Sequence, residues 1–139
     1  MKNTELQKLT SLLFATRRLV RQRTAVHGAA NPYTWLQMES LGFIEEHDGP
    51  AMQEIAAYLH ITAPSASSLV NKLVKSGFVR RKAGADKRAV RLYASAKGKG
   101  ELLRGRKAAA GALQGVFSVL PSRDMKELIR VLSRVAGEK

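Results

Sequence analysis

The sequence predicts a mainly α-helical protein carrying one small β-hairpin, an α+β chain, and three observations lead there. Apolar residues recur at spacings of three and four over most of the 139 residues, the signature of amphipathic helices. Between Met52 and Lys75 that pattern breaks only at His60-Ile61-Thr62 and resumes at once, which makes two helices joined by a very short link. Directly afterwards, two β-type runs, FVRRK and AVRLY, flank the polar, glycine-containing AGADKR.

Taken from the N-terminus, a first helix is expected over residues 4–26. Leu6, Leu9, Leu13 and Val20 lie along one stripe with Leu12 and Phe14 beside it, and Arg17, Arg18, Arg21 and Arg23 occupy the polar side. These arginines read as a solvated face, with phosphate contact as the alternative. His27-Gly28-Ala29-Ala30-Asn31-Pro32 ends the helix. Thr34 followed three residues later by Gln37 is a capping-box arrangement, so a second helix should run from Trp35 to Glu46 and bury Trp35, Met38, Leu41 and Ile44. His47-Asp48-Gly49-Pro50 then turns the chain. Glu45, Glu46 and His47 have the chemistry of metal ligands, but their spacing fits no ligand pattern and they read as a helix end. No metal site is expected.

Met52, Ile55, Ala56 and Leu59 give the next helix its buried face, and Ala66, Leu69, Val70 and Leu73 give one to its successor. A link of about three residues forces the two to cross steeply, as in a helix-turn-helix. Thr62 caps the second helix and Pro64 sits in its first turn, where a missing N–H costs nothing. With the apolar residues turned inward, Pro64, Ser68, Asn71 and Lys75 face outward, flanked by Ser65, Ser67 and Lys72. Short hydroxyls and an amide can reach base edges in a major groove, and lysines can meet phosphate or guanine. Thr62, Pro64, Ser65, Ser67, Ser68, Asn71, Lys72 and Lys75 are therefore candidate DNA-contacting residues.

Ser76-Gly77 suits the end of that helix. In the hairpin beyond it, Val90 and Leu92 alternate with Ala89, Arg91 and Tyr93, so one face should be apolar and the other solvated. The tip carries Lys87 and Arg88, cations suited to an adjacent minor groove, where the potential is most negative. Asp86 opposes phosphate binding and is read as local, orienting Arg88 or capping the turn. Ser95 can cap a helix starting near Ala96, basic at first and apolar later. Its Gly98, Gly100, Gly105, Gly111 and Gly115 weaken it by up to about 1 kcal/mol each relative to alanine. Packing must hold it, or it is bent. The order of GKGELLRG is not that of a phosphate loop, so nucleotide binding is rejected. A last amphipathic helix is expected from Ser122 to Ala136, with Met125, Leu128, Ile129, Leu132 and Val135 apolar. Apolar stripes at both chain ends exceed what the small central lobe can cover, which implies a second copy and a C2 homodimer.

The run DKRAVRLYAS, residues 86–95, resembles the wing signature D-x-R-x-x-x-L-x-L-T of the MarR family of winged helix-turn-helix transcription regulators. Asp86, Arg88 and Leu92 match, while Ala94 and Ser95 replace Leu and Thr. QEIAAYLHIT with SASSLVNKLVKSGFVRR is similar to the family's helix-turn-helix, and YTWLQMESL, through Thr34, Gln37 and Leu41, to its L-T-x-x-Q-x-x-x-L segment. The resemblance covers essentially the whole chain. It implies a single protomer with dimerisation helices in residues 1–30 and 96–139 and a DNA-binding winged helix-turn-helix in 34–95. It also implies an effector pocket to which Tyr33, Trp35 and Met38 contribute, holding a small phenolic or other aromatic ligand; a repressor is expected because blocking a promoter is the simplest output of such a dimer. In such a dimer two symmetry-related helices enter grooves about 34 Å, or roughly 10 base pairs, apart, so the operator should be a pseudo-palindrome.

Composition agrees. The net charge is +13, with +1 in residues 1–50 (6 basic, 5 acidic), +6 in 51–95 (8 and 2) and +6 in 96–139 (10 and 4). Double-stranded DNA is the partner that this distribution favours, and a low-specificity architectural DNA-coating protein is the alternative reading. Zero cysteines exclude a disulfide framework and a thiol switch. No signal-peptide core and no membrane-length apolar run is present, so a cytoplasmic protein without membrane association is expected. Neither a nucleophile–base pair nor a metal cluster suggests an enzyme, and no cofactor is expected.

Overall fold

A computed structural model describes residues 1–27, 35–84 and 89–138. The elements follow in the order α1 (Asn3–His27), α2 (Trp35–Glu46), α3 (Met52–Leu59), α4 (Ala63–Lys75), β1 (Val79–Ala83), β2 (Val90–Ala94), α5 (Ala96–Phe117) and α6 (Ser122–Ala136). The chain divides into two units, Met1–Ala29 with Ala108–Lys139, and Ala30–Lys107. They are called the terminal unit and the central unit below.

The central unit closes one core. Leu41 and Ile44 from α2, Ile55 from α3, Val70 and Leu73 from α4, Phe78, Val79 and Leu92 from the hairpin region and Leu102 from α5 form a single buried cluster. Met38, Met52, Leu59 and Ala94 pack at its edge. The stripe expected on α2 is corrected at Trp35, which is 50 % exposed. Gln37 and Ser40 are buried instead. Ser40 tolerates this because its hydroxyl donates to the Leu36 carbonyl one turn back at 2.7 Å, leaving no unmade hydrogen bond. Trp35 stands at the first position of α2, before the core begins. Thr34, the other half of the expected capping box, lies outside the described residues.

The link between α3 and α4 depends on one unusual residue. His60 adopts a left-handed conformation (φ 54°), and the Ile61 N–H then bonds back to the Ala56 carbonyl at 3.1 Å, closing α3 as glycine usually does. At the other end of α3, Glu54 reaches back to accept from the Ala51 N–H at 3.2 Å. The preceding turn is pinned to β2. The Leu92 N–H donates to the Pro50 carbonyl at 3.1 Å, and Arg91 donates to the Gly49 carbonyl at 3.2 Å and pairs with Glu54 at 3.4 Å. A side chain at Gly49 would both strain its φ of 63° and strike the Tyr93 hydroxyl at 2.5 Å.

The strands pair antiparallel, with Val79 opposite Ala94, Arg81 opposite Leu92 and Ala83 opposite Val90. Directly paired residues share a face, and Val79 and Leu92 bury theirs. Val90 was expected to join Leu92 inside; it is 49 % exposed, because it lies toward the tip where the core has ended. Ser95 caps α5, its hydroxyl oxygen accepting from the Gly98 N–H at 3.0 Å. α5 is assigned as one helix over its whole length, not as an interrupted one. Gly98 explains how its start fits: a Cβ there would stand 2.1 Å from the Phe78 carbonyl oxygen.

The terminal unit is built differently. Ala112 is its single buried apolar residue among those described, and α6 buries none. Leu6, Leu9, Leu12, Leu13 and Phe14 of α1 and Ile129, Leu132 and Val135 of α6 are exposed by 45 % or more. α6 ends at Gly137, whose φ of 76° closes the helix.

Candidate nucleic-acid interface

The outward face of α4 follows from its cap and its stripe. Thr62 accepts from the Ser65 N–H at 3.2 Å and donates its own proton to the Ser65 hydroxyl at 2.9 Å, with Pro64 in the first turn. Ala66, Val70 and Leu73 are buried, which turns the opposite side out. Thr62, Pro64, Ser65, Ser68, Asn71, Lys72 and Lys75 are all exposed, as the spacing required, and Ser67 is half-buried on the flank. α4 contains no acidic residue. Lys72 and Lys75 stand in its last turn, where the helix dipole favours cations.

One contributor was missed. Arg81 of β1 donates from Nη2 to the Oδ1 of Asn71. Its neighbours Arg80 and Lys82 alternate to the other side of the strand, where the Lys82 ammonium sits 5.1 Å from the centre of the Tyr93 ring. The signal was present in the sequence: Val79 is apolar, so Arg81, two residues on, shares the inward face of the strand. At the far end of α4, Lys97 donates to the Ser76 carbonyl at 3.0 Å and lies 5.3 Å from the Phe78 ring, closing the turn after the helix. The acids of this unit are partly engaged elsewhere, Glu54 with Arg91 and Glu46 with Arg106 at 3.2 Å.

Asp86, Lys87 and Arg88 of the hairpin tip, and Tyr33 of the expected effector pocket, lie outside the described residues. Of the other two pocket candidates, Trp35 is half exposed, whereas Met38 is half-buried beside Gly105, where a Cβ would come within 2.3 Å of its methyl group. Among the described residues, no three His, Asp or Glu side chains gather as a metal site would need, and no helix is long and apolar enough to cross a membrane.

Residues 33–89, which include α2, the helix-turn-helix and β1 and stop short of β2, match the sequence model of the MarR family. No curated protein sequence matches the chain. Among solved structures, the transcriptional repressor CouR bound to a 23-mer DNA duplex is similar with a TM-score of 0.81 and 24% identity, covering 98% of each chain. A MarR family protein from Bacillus stearothermophilus is similar at 0.79 and 19% identity, covering 99% of this chain and 96% of its own. A Mycobacterium tuberculosis MarR family protein in complex with p-aminosalicylic acid is similar at 0.73 and 20% identity, covering 92% and 98%. At these identities the structural likeness is one of fold, and it runs the length of the chain. Residues 33–89 are thus similar in sequence to the MarR family of winged helix-turn-helix transcription regulators, and the chain as a whole shares the fold of solved structures of that family.

Proposed function

We propose that this protein is a homodimeric repressor that binds a pseudo-palindromic double-stranded operator and is released by a small aromatic effector. The observation that carries this reading is the outward face of α4, free of acids, lined by Ser65, Ser68 and Asn71 and edged by Lys72 and Lys75. Such a face can enter a major groove without meeting charge repulsion and can present hydrogen-bonding groups to base edges. Lys87 and Arg88 extend the contact toward the minor groove, with Asp86 orienting Arg88. Residues 34–95 make the DNA-binding lobe.

Residues 1–30 and 96–139 supply the dimer helices, and the exposed apolar stripes of α1 and α6 support that assignment. Symmetry then sets two copies of α4 at neighbouring major grooves, and occupation of a promoter blocks transcription. An effector acts only through its different affinity for groove-matched and groove-mismatched dimers. Tyr33, Trp35 and Met38 are the proposed pocket residues, and the p-aminosalicylic acid held by one structural relative supports an aromatic carboxylate as the first compound to try. The protein acts in the cytoplasm, where the operator is.

The test is selection of genome fragments by the purified protein at near-physiological salt against excess random DNA. Recovery of a short pseudo-palindrome bound by one dimer supports the reading. Unselective recovery supports the architectural alternative. Neutralising about 6 to 10 phosphates makes affinity fall about 10³- to 10⁵-fold between 50 and 200 mM salt, and a flat salt response overturns the electrostatic part.

A further inference from the structure

The hydrogen bond from Arg81 to Asn71 joins the wing to the helix proposed to read bases, and it changes what that helix can recognise. A free asparagine presents an acceptor and a donor side by side, which matches the N6 and N7 edge of adenine. Here Oδ1 already accepts from a guanidinium. A second donor, such as the adenine amino group, would approach an oxygen flanked by fixed positive charge. The amide NH₂ of Asn71 has no acceptor among the described residues and can donate, and arginine has five N–H donors of which this bond uses one. Two donors therefore stand together at this point of α4.

The placement is built into the fold. Arg81 is held opposite Leu92, whose burial fixes the register and thus the face from which the guanidinium projects. Asn71 lies one residue past buried Val70 and two before buried Leu73, so its direction is fixed by the α4 stripe. Both side chains are exposed, as a base-reading pair must be.

We propose that Arg81 is a positioning residue for Asn71, and that the pair reads guanine as a composite donor set facing its N7 and O6. This rests on the reading of α4 as the groove helix. It goes further by naming the base read at the Asn71 position and by coupling that choice to a residue of the wing. The two acceptors on the guanine edge lie side by side in the major groove, as the two donors do here.

The experiment compares operators selected by the unaltered protein with those selected by Asn71→Ala, Arg81→Met and Arg81→Lys, each with its random-DNA affinity and unfolding midpoint measured. The expected result is a guanine at one position of each half-site, preferred over adenine by about tenfold or more. Asn71→Ala and Arg81→Met relax that same position and no other. Arg81→Lys, which keeps a cationic donor, retains the preference; a purely structural role for Arg81 would not produce a change confined to one base pair. Replacing that guanine by 7-deazaguanine should weaken the unaltered protein and leave Arg81→Met almost unaffected.

The proposal is overturned if Asn71→Ala and Arg81→Met relax different positions, if the position read by Asn71 is adenine, or if Arg81→Met leaves every preference intact. In those cases the repressor reading survives, because a sequence has still been selected. If the unaltered protein selects no sequence, both readings fall together. A variant that does not fold shows itself in the midpoint, and the 7-deazaguanine comparison on the unaltered protein then decides alone: undiminished binding to the modified operator overturns the proposal.

Discussion

The two units of the chain start from the same kind of sequence and end differently. In the central unit, stripes from α2, α3 and α4 meet each other, the hairpin and Leu102, and the core closes within the chain. In the terminal unit, α1 and α6 carry stripes just as regular, yet Ile129 is 56 % exposed and Val135 80 %. Periodicity tells which face of a helix needs cover; it does not tell where the cover comes from. Exposed apolar surface on this scale, on two helices at opposite ends of the sequence, is the mark of an association site. The central unit holds its fold with its own residues, and the terminal unit is completed by a second copy under the function proposed above.

The change with the largest expected effect attacks that second copy. Ile129→Glu combined with Leu132→Glu removes four apolar side chains from the proposed dimer, two in each protomer. At about 1.5–3 kcal/mol for each side chain fully buried, the loss reaches about 6–12 kcal/mol, enough to dissociate most dimers at working concentrations. Sedimentation should then report a monomer, operator affinity should collapse, and the circular dichroism of a folded helical protein should persist. A double variant that remains dimeric would show that α6 is not part of the interface.

Leu41→Ala tests the other half of the contrast. Leu41 is fully buried at the centre of the core cluster, and truncating such a leucine costs about 2–5 kcal/mol. Denaturant titration should show that loss at all protein concentrations, whereas the α6 variant should lose only the concentration-dependent part. Identical behaviour in the two would mean that the units do not differ as described.

Two glycines of α5 give a smaller effect with opposite signs. Gly98→Ala forces a methyl group to within 2.1 Å of the Phe78 carbonyl oxygen and 2.9 Å of its carbon, both backbone atoms that cannot step aside. Overpacking of that kind costs about 1–3 kcal/mol. The atoms nearest to the methyl group of Gly115→Ala are those of the Arg23 side chain, at 3.3 Å and beyond, which can move. It should be neutral or gain part of the roughly 1 kcal/mol by which alanine exceeds glycine in a helix. Unfolding midpoints that moved in the same direction would refute the distinction between a glycine required by close approach and one that is merely tolerated.

Much of this architecture was legible because helix periodicity and turn chemistry are local. The bounds of α2 and α6, the break at His60, the capping role of Thr62 and the exposed face of α4 can all be read from a dozen residues at a time. What could not be read depends on where the core ends. Trp35 and Val90 have the right periodicity for burial but sit one step beyond the packed region. The left-handed His60 was not anticipated, because neither glycine nor asparagine stands in the link, although histidine is among the other residue types enriched in that conformation. Gly98 and Gly105 looked like weaknesses until the close approach of Phe78 and Met38 gave them a reason. Arg81 was overlooked because a strand in a basic run reads as uniformly solvated, although the alternation from Val79 already assigned its face.

The smallest effect tests which side of α6 is covered. Arg130 donates two hydrogen bonds to Glu127, at 2.9 Å and 2.5 Å, on the exposed polar side of that helix. The hydrogen bond from Arg130 holds the Glu127 carboxyl below the usual carboxylate range, loss of water contact opposes it, and the charge of Arg130 adds the smallest contribution, also downward. A lowered folded-state value gives stability that is present above the unfolded carboxylate range and lost as pH falls through the lowered one. Because both groups are bathed in solvent, screening leaves little of it. Glu127→Gln should therefore not change the midpoint resolvably at neutral pH, nor alter the shape of the acid-unfolding curve. The apolar residues of α6 lie on the other side of the helix, so the same null result is expected in the dimer. A pH-dependent loss seen in the dimer but absent from the Ile129→Glu, Leu132→Glu monomer would place the partner over the polar face, against the burial of the stripe that sets the two units apart.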